Sequence, residues 1–228
     1  MGVLMSLLNS FLLQWKIKGI IFDLDGTLID TLDKHIQAFQ LLFDEINKPI
    51  TYEKIAENMG RTPRDTLLTL IPELQNDKNQ LDFLAKRKEE ILTNLLNHIP
   101  KFPGAENLLQ YVKKLPLTIC LASSTPIYNV IKMLQEASIE NYFQVIITGE
   151  DITIGKPNPE IFLKAAKKGK IPPNQCLVIG DSPHDILAAK KAGMKVIAVT
   201  TGKHSVTEVE KENPDLLISS LKELLAIN

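Results

Sequence analysis

Apolar positions along the chain cluster in short unbroken runs. Runs of strand length fall at 17–22 (IKGIIF), 117–122 (LTICLA), 143–147 (FQVII), 175–180 (QCLVIG), 195–199 (KVIAV) and 215–218 (DLLI). A strand wet on one face alternates apolar and polar residues, so an unbroken run predicts a strand covered on both faces. From residue 103 onward the runs alternate with helical patterns at 104–114, 126–138, 159–169, 183–192 and 220–226. That alternation predicts successive βαβ units, hence an α/β fold built on an open parallel sheet with helices on both faces. Chemistry in such a sheet belongs at the carboxyl ends of its strands.

One interval breaks the rhythm. Residues 31–100 carry no strand signal but show helical patterning in "TLDKHIQAFQLLFDEI" and "NQLDFLAKRKEEILTNLLNHI". Pro49, Pro63 and Pro72 belong at turns or helix starts there, because a proline inside a helix costs about 3 kcal/mol. The pattern predicts an α-helical domain, 31–100, inserted into a core formed by 17–30 and 101–228, with crossings near 30–33 and 97–103 acting as hinges. Residues 1–16 form an N-terminal extension. Its "MGVLMSLLNSFLLQW" lacks a basic leader and a cleavage site and is too short to span a membrane. A short amphipathic helix or a disordered extension is expected; an interfacial anchor is the alternative, although the basic residues of such helices are missing.

Composition narrows the partners. The 228 residues are 44% hydrophobic and 23% charged, within the range of soluble globular proteins. A net charge of −1 gives no global field toward nucleic acid or an anionic membrane, so any anionic ligand must be captured locally. The two cysteines, Cys120 and Cys176, each lie in an apolar run and form no disulfide framework, which fits the reducing cytoplasm.

Four polar clusters stand at four strand ends: Asp23 and Asp25 after the first, Ser123 and Ser124 after the second, Lys156 shortly after the third, and Asp181 with Asp185 after the fourth. Any one of these reads as a helix cap or turn former. Capping alone does not require compatible groups at all four ends. Clustered carboxylates repel one another, so either some are protonated or a hard cation lies among them. Mg²⁺ fits, because it takes oxygen ligands from one or two carboxylates plus substrate phosphate. Lys156, the serine hydroxyls and backbone N–H groups suit the other phosphate oxygens, which points to phosphoryl transfer.

In that order, "FDLDGT", "LASST", "GKPNPEIF" and "GDSPHDI" resemble the four motifs of the haloacid dehalogenase-like phosphohydrolases, over residues of about 17–200. The resemblance implies a Rossmann-like core, Mg²⁺ dependence, an aspartyl-phosphate intermediate and a mobile helical cap. It implies Asp23 as nucleophile and Asp25 as acid/base, with Gly26 and Thr27 forming the turn beside them. Ser123, with Ser124, would bind a transferring oxygen, and Lys156 would offset charge. Asp23, the Asp25 backbone carbonyl and Asp181 would hold the metal, with Asp185 binding through water or orienting Lys156. Since every acid needed for turnover is present, a relic fold serving only for binding is disfavoured.

Substrate choice rests on the inserted helices. His35, Arg64 and the Lys86, Arg87, Lys88 cluster look similar to cap positions of β-phosphoglucomutases; a buried helix histidine and a solvated ion-paired face are the plain alternatives. Thr27, Gly180 and Asp185 depart from the mutase pattern and resemble phosphoglycolate-type phosphatases. Hydrolysis of a small phosphomonoester, phosphoglycolate or a sugar phosphate, is therefore expected, with a β-phosphoglucomutase-like activity as the alternative. The implied partner is a small phosphorylated metabolite, and the assembly a monomer or homodimer. His184, in "SPHDI", is expected on the solvent side.

Overall fold

The structure, a computed structural model, describes residues 6–226. Six parallel strands form one sheet: β1 (Gly19–Phe22), β2 (Thr118–Ala122), β3 (Val145–Ile147), β4 (Cys176–Gly180), β5 (Lys195–Val199) and β6 (Leu216–Ile218), in the order β3-β2-β1-β4-β5-β6. The chain winds outward from β1 through β2 to β3, then returns to place β4 on the other side of β1. That reversal opens a crevice at the carboxyl ends of β1, β2 and β4.

Alternate residues of each strand supply two cores. Ile20, Phe22, Ile119, Leu121, Leu177 and Ile179 face one layer, and Ile21, Cys120, Ala122, Val178, Val196 and Ala198 face the other. Both faces are dry, which is why the runs are unbroken in sequence. Helices α6 (Ala105–Val112), α7 (Ile127–Glu136), α8 (Glu160–Lys168), α9 (Pro183–Lys191) and α10 (Val206–Lys211) follow the core strands. Leu221–Leu225 forms a 3₁₀ turn where a helical pattern was expected. Both cysteines are free and buried, with burial pushing each thiol up to about 12.

The interval after β1 is all-helical: α2 (Leu32–Glu45), α3 (Tyr52–Ala56), α4 (Pro63–Leu70), a 3₁₀ turn at Pro72–Asn76, and α5 (Lys78–Leu95). Pro63 opens α4, where its missing N–H is no loss, and Thr62 caps the same end by accepting from the Asp65 N–H. The two connections to the core lie side by side. Ile29 bridges Lys101, and the Asp30 N–H donates to the Pro100 carbonyl at 2.9 Å. At the N-terminus, α1 (Leu7–Gln14) buries Leu8 completely and packs Phe11, Leu12 and Trp15 on the first core. Part of its apolar face is thus taken up by the chain itself, while Leu13 stays exposed; residues 1–5 of the expected extension lie outside the described residues. No described helix is long and apolar enough to cross a membrane.

Candidate active site

Asp23, Ser123 and Asp181 each stand one position past a strand, whereas Asp25, Asp185 and Lys156 lie three, five and nine positions beyond theirs. The Asp23 N–H donates to Ile179 O at 2.9 Å and the Ser123 N–H to Ile147 O at 3.0 Å, so both continue their strands into the crevice. Gly26 then turns the chain at φ +88°; a Cβ there would lie 2.5 Å from Asp181 Oδ2, so glycine serves both the positive φ and the carboxylate beside it. A Cβ at Gly202 would meet the same oxygen from the other side. Gly180 leaves the space that Asp185 fills, since a Cβ there would come within 2.7 Å of its Cβ and Cγ.

Asp23, Asp181 and Asp185 each bring one carboxylate oxygen within 4.8 Å of the others, all buried. Lys156 is the cation among them. Its ammonium donates to Asp23 Oδ1 at 2.5 Å and contacts Asp185 Oδ1 at 2.7 Å, and the Ala122 carbonyl takes a third bond at 3.3 Å. Burial opposes the charge on Lys156, but Asp185 and Asp23 outweigh it and raise its pKa. One ammonium does not neutralise three carboxylates. Burial pushes Asp23 up from 3.8 to about 7 and Asp181 well above its ordinary value, with the neighbouring acids adding to both. Asp185 goes the other way: Lys156 and the Ser182 hydroxyl and N–H overcome its burial and lower it. Asp185 also completes a capping box with Ser182 at the start of α9, so its helix-capping and lysine-orienting roles coexist. An excess of buried negative charge, flanked by positions where only glycine fits, suits a small hard cation with oxygen ligands.

Asp25 faces the helical insertion. Its Oδ1 accepts from Thr31 Oγ1 at 2.5 Å and lies 3.2 Å from His35 Nε2, while its Oδ2 accepts from the Ser123 and Thr125 hydroxyls, each at 3.2 Å. Burial alone would raise it; the contact with His35, the hydrogen bond from the Thr31 hydroxyl and the Lys88 charge behind take it down to about 2. The His35 Nδ1 is 3.0 Å from the Lys88 ammonium. A lysine has no acceptor to offer, so Nδ1 accepts and Nε2 carries the proton toward Asp25. Lys88 donates onward to Glu89 Oε1 at 2.7 Å, and Asn129 of α7 holds Glu89 Oε2 at 2.6 Å. The line thus runs from the core, through α2 and α5, back to the core.

The acids are enclosed. A cavity of about 30 Å³ is lined by Asp23, Asp25, His35, Arg61, Lys88 and Ser124 among others. A wider cleft of about 1000 Å³, lined by Arg64, Glu90, Tyr128 and Glu150 among others, runs between α4, α5 and the loops after β2 and β3. It does not reach the acidic cluster; Ser124 and Pro63 line both spaces.

A model of the haloacid dehalogenase-like hydrolases matches residues 20–199. The chain belongs to that family. Among relatives of this haloacid dehalogenase-like hydrolase, a phosphorylated carbohydrates phosphatase of Thermotoga maritima is 30% identical, with 91% of this chain and 100% of the relative covered. A phosphoglycolate phosphatase of Pseudomonas savastanoi is 27% identical over 91% of this chain and 78% of its own. Among solved structures, a β-phosphoglucomutase from Clostridium difficile superposes with a TM-score of 0.79 at 28% identity, covering 91% of this chain and 93% of that one. The protein is an enzyme of the family's phosphatase kind.

Within this haloacid dehalogenase-like hydrolase the structure brings together Asp23, Asp25, Gly26, Thr27, Ser123, Ser124, Lys156, Asp181, Asp185 and His35. Several hold one another and are not open to solvent. Thr27 Oγ1 donates to Asp181 Oδ1 at 2.8 Å and lies 3.3 Å from Asp23 Oδ2, Ser123 donates to Asp25, and Ser124 donates to the Gly60 carbonyl at 2.8 Å. Arg64 is not brought in: it sits in the first turn of α4 and forms an ion pair with Asp82 of α5. The expected solvated face at 86–90 divides. Lys86 is exposed and paired with Glu90, and Arg87 is half-buried and paired with Glu45, whereas Lys88 is fully buried against Phe39. His184 is also half-buried, edge-on to His204, and burial pulls it down to about 4. Sequence reasoning missed Thr31, Thr125, Arg61, Glu89 and Asn129. The signal for Lys88 and Glu89 was the helical period, since Leu81, Leu84, Lys88, Ile91 and Leu92 share a buried stripe.

Proposed function

We propose that the protein is a Mg²⁺-dependent phosphatase for small phosphomonoesters, working through an aspartyl-phosphate on Asp23. The observation that carries the reading is the enclosed constellation of Asp23, Asp181 and Asp185 around Lys156, with Asp25 alongside on the cap-facing side. Asp23, Asp181 and the Asp25 backbone carbonyl would hold Mg²⁺, with Asp185 behind them. When bound, the ion offsets phosphate charge and orients the phosphoryl group.

The chain's own residues divide the work. An Asp23 oxygen attacks phosphorus, the bond to the leaving oxygen breaks, and Asp25 supplies that oxygen's proton. Water then attacks phosphorus, giving its proton to Asp25, and Asp23 departs as carboxylate. Ser123 and Thr125, which now donate to Asp25, are placed to turn to phosphoryl oxygens; losing those bonds makes Asp25 easier to protonate for the first half. Residues 31–100 act as a cap that excludes water, hinging where Ile29 and Asp30 pair with Lys101 and Pro100.

Phosphoglycolate and sugar phosphates are the substrate classes favoured by the relatives' names. A mutase reading draws on His35 and Lys88 behind Asp25 and on the β-phosphoglucomutase likeness. A bisphosphate requirement with an isomeric product would establish it over release of inorganic phosphate. For the covalent step, protein quenched in acid during turnover is expected to carry one phosphoryl mass on the peptide containing Asp23, removed by hydroxylamine. Steady turnover with no such adduct in rapid-quench samples would refute the intermediate.

A further inference from the structure

We propose that Arg61 reads a negative charge on the leaving group, so that the preferred substrates are short phosphate esters or anhydrides whose departing part bears a carboxylate or a second phosphate. The inference rests on the phosphatase reading and narrows its substrate class.

The chain has three arginines. Arg64 pairs with Asp82, and Arg87 pairs with Glu45 and Glu90. Arg61 has no carboxylate partner among the described residues. Its Nη1 donates to two neutral oxygens, Asn58 Oδ1 at 3.2 Å and Thr69 Oγ1 at 2.8 Å, and its Nε is buried with no acceptor at all. Yet Arg61 lines the enclosed cavity that holds Asp23 and Asp25. The other cations there are already spoken for: Lys88 by Glu89, and Lys156, beside the cavity, by Asp23 and Asp185.

The loop that carries Arg61 is fixed on the core. Gly60, at φ +90°, accepts the Ser124 hydroxyl through its carbonyl, and a Cβ on it would come 2.8 Å from Ser182 Oγ. Backbone contacts therefore fix the loop on the core and keep Arg61 in the lining of the cavity that holds Asp23 and Asp25. A buried N–H without an acceptor is costly, and a charge partly out of water attracts an anion more strongly than it would in bulk solvent. An anionic leaving group answers both conditions with a charge-assisted hydrogen bond. Neutral sugar hydroxyls would leave the charge uncompensated. Arg61 forms and breaks no covalent bond; it positions the departing group.

The test compares wild type, Arg61→Ala and Arg61→Lys, with Mg²⁺, on phosphoglycolate, pyrophosphate and hydroxyethyl phosphate; the last is phosphoglycolate with its carboxylate replaced by a neutral alcohol. Wild type is expected to favour one of the two anionic substrates over hydroxyethyl phosphate by at least about tenfold in kcat/KM. Which one it favours tells carboxylate from phosphate. Arg61→Ala is expected to lower kcat/KM on that substrate at least about tenfold more than on hydroxyethyl phosphate, chiefly through KM, with partial recovery in Arg61→Lys. Equal turnover of charged and neutral esters by wild type overturns the inference even if no variant folds, and so does an equal loss on both in Arg61→Ala. No phosphate release from any of them, nor from p-nitrophenyl phosphate, removes the phosphatase reading itself and the inference with it.

Discussion

Replacing Asp23 by asparagine should abolish turnover and, without metal, stabilise the fold. Asp23 is buried among Asp181 and Asp185, and its pKa rises from 3.8 to about 7. Each tenfold change in proton affinity is worth about 1.4 kcal/mol, so above pH 7 the ionised side chain costs on the order of 4 kcal/mol. Asparagine removes that charge and keeps an oxygen for Lys156, although the bond is weaker than the present charge-assisted one at 2.5 Å. Allowing half the gain for that loss leaves about 2 kcal/mol, or about 4–8 °C in Tm for a chain of this size. The measurement is calorimetric melting of wild type and Asp23→Asn in EDTA at pH 8 and pH 5, beside phosphate release with Mg²⁺. At pH 5 wild-type Asp23 is already protonated, so the difference should shrink toward zero. A variant no more stable than wild type at pH 8, or equally stabilised at both pH values, would refute the account of Asp23 as a crowded carboxylate; full activity would remove it as nucleophile.

Two further outcomes follow from the same charges. Between pH 4 and pH 7 the folded metal-free protein binds more protons at Asp23 than the unfolded chain does, so its stability falls as pH rises through that window. Mg²⁺ competes with those protons, and saturating ion, worth about 2.7 kcal/mol at one hundred times Kd, should raise Tm more at pH 8 than at pH 5; equal shifts would contradict it. Lys88→Met removes one member of a buried pair and leaves Glu89 to Asn129 alone. It should cost about 3 kcal/mol, partly restored by adding Glu89→Gln. Because Lys88 helps hold Asp25 at about 2, its loss should also move the alkaline limb of the kcat/KM profile, where Asp25 must be protonated to act as acid, to higher pH. An unmoved limb would detach Lys88 from the acid/base machinery.

What could be read from the sequence was what the sheet repeats. Strands buried on both faces announce themselves as unbroken apolar runs, and residues at their ends must converge wherever the strand order reverses. Asp23, Ser123 and Asp181, expected at one crevice from the chain alone, do lie together there, and Lys156 reaches the same place from the longer loop after β3. Boundaries were looser: Phe143 and Gln144 precede β3, and the Gln144 side chain accepts from the Ile119 N–H. The inserted helices were less legible because no ladder fixes which of their polar residues turn inward. Arg64 and Arg61 are three positions apart, and only the start of α4 at Pro63 decides that one faces Asp82 while the other lines the cavity. "KRKEE" reads as solvated by its charge, although its period already set Lys88 within the stripe of Leu84, Ile91 and Leu92.

Through that stripe the inserted helices also reach Asp25. Thr31, His35 and Lys88, which pull Asp25 down to about 2, all belong to the inserted segment, while the acids crowding Asp23 and Asp181 all belong to the core. Displacing the insertion would leave Asp25 with Ser123 and Thr125 alone and raise its proton affinity, yet leave the Asp23, Asp181 and Asp185 cluster with the same neighbours. The position of the inserted segment and the protonation state of Asp25 are therefore linked through one set of contacts, and by reciprocity protonating Asp25 must weaken the hold of that segment on the core.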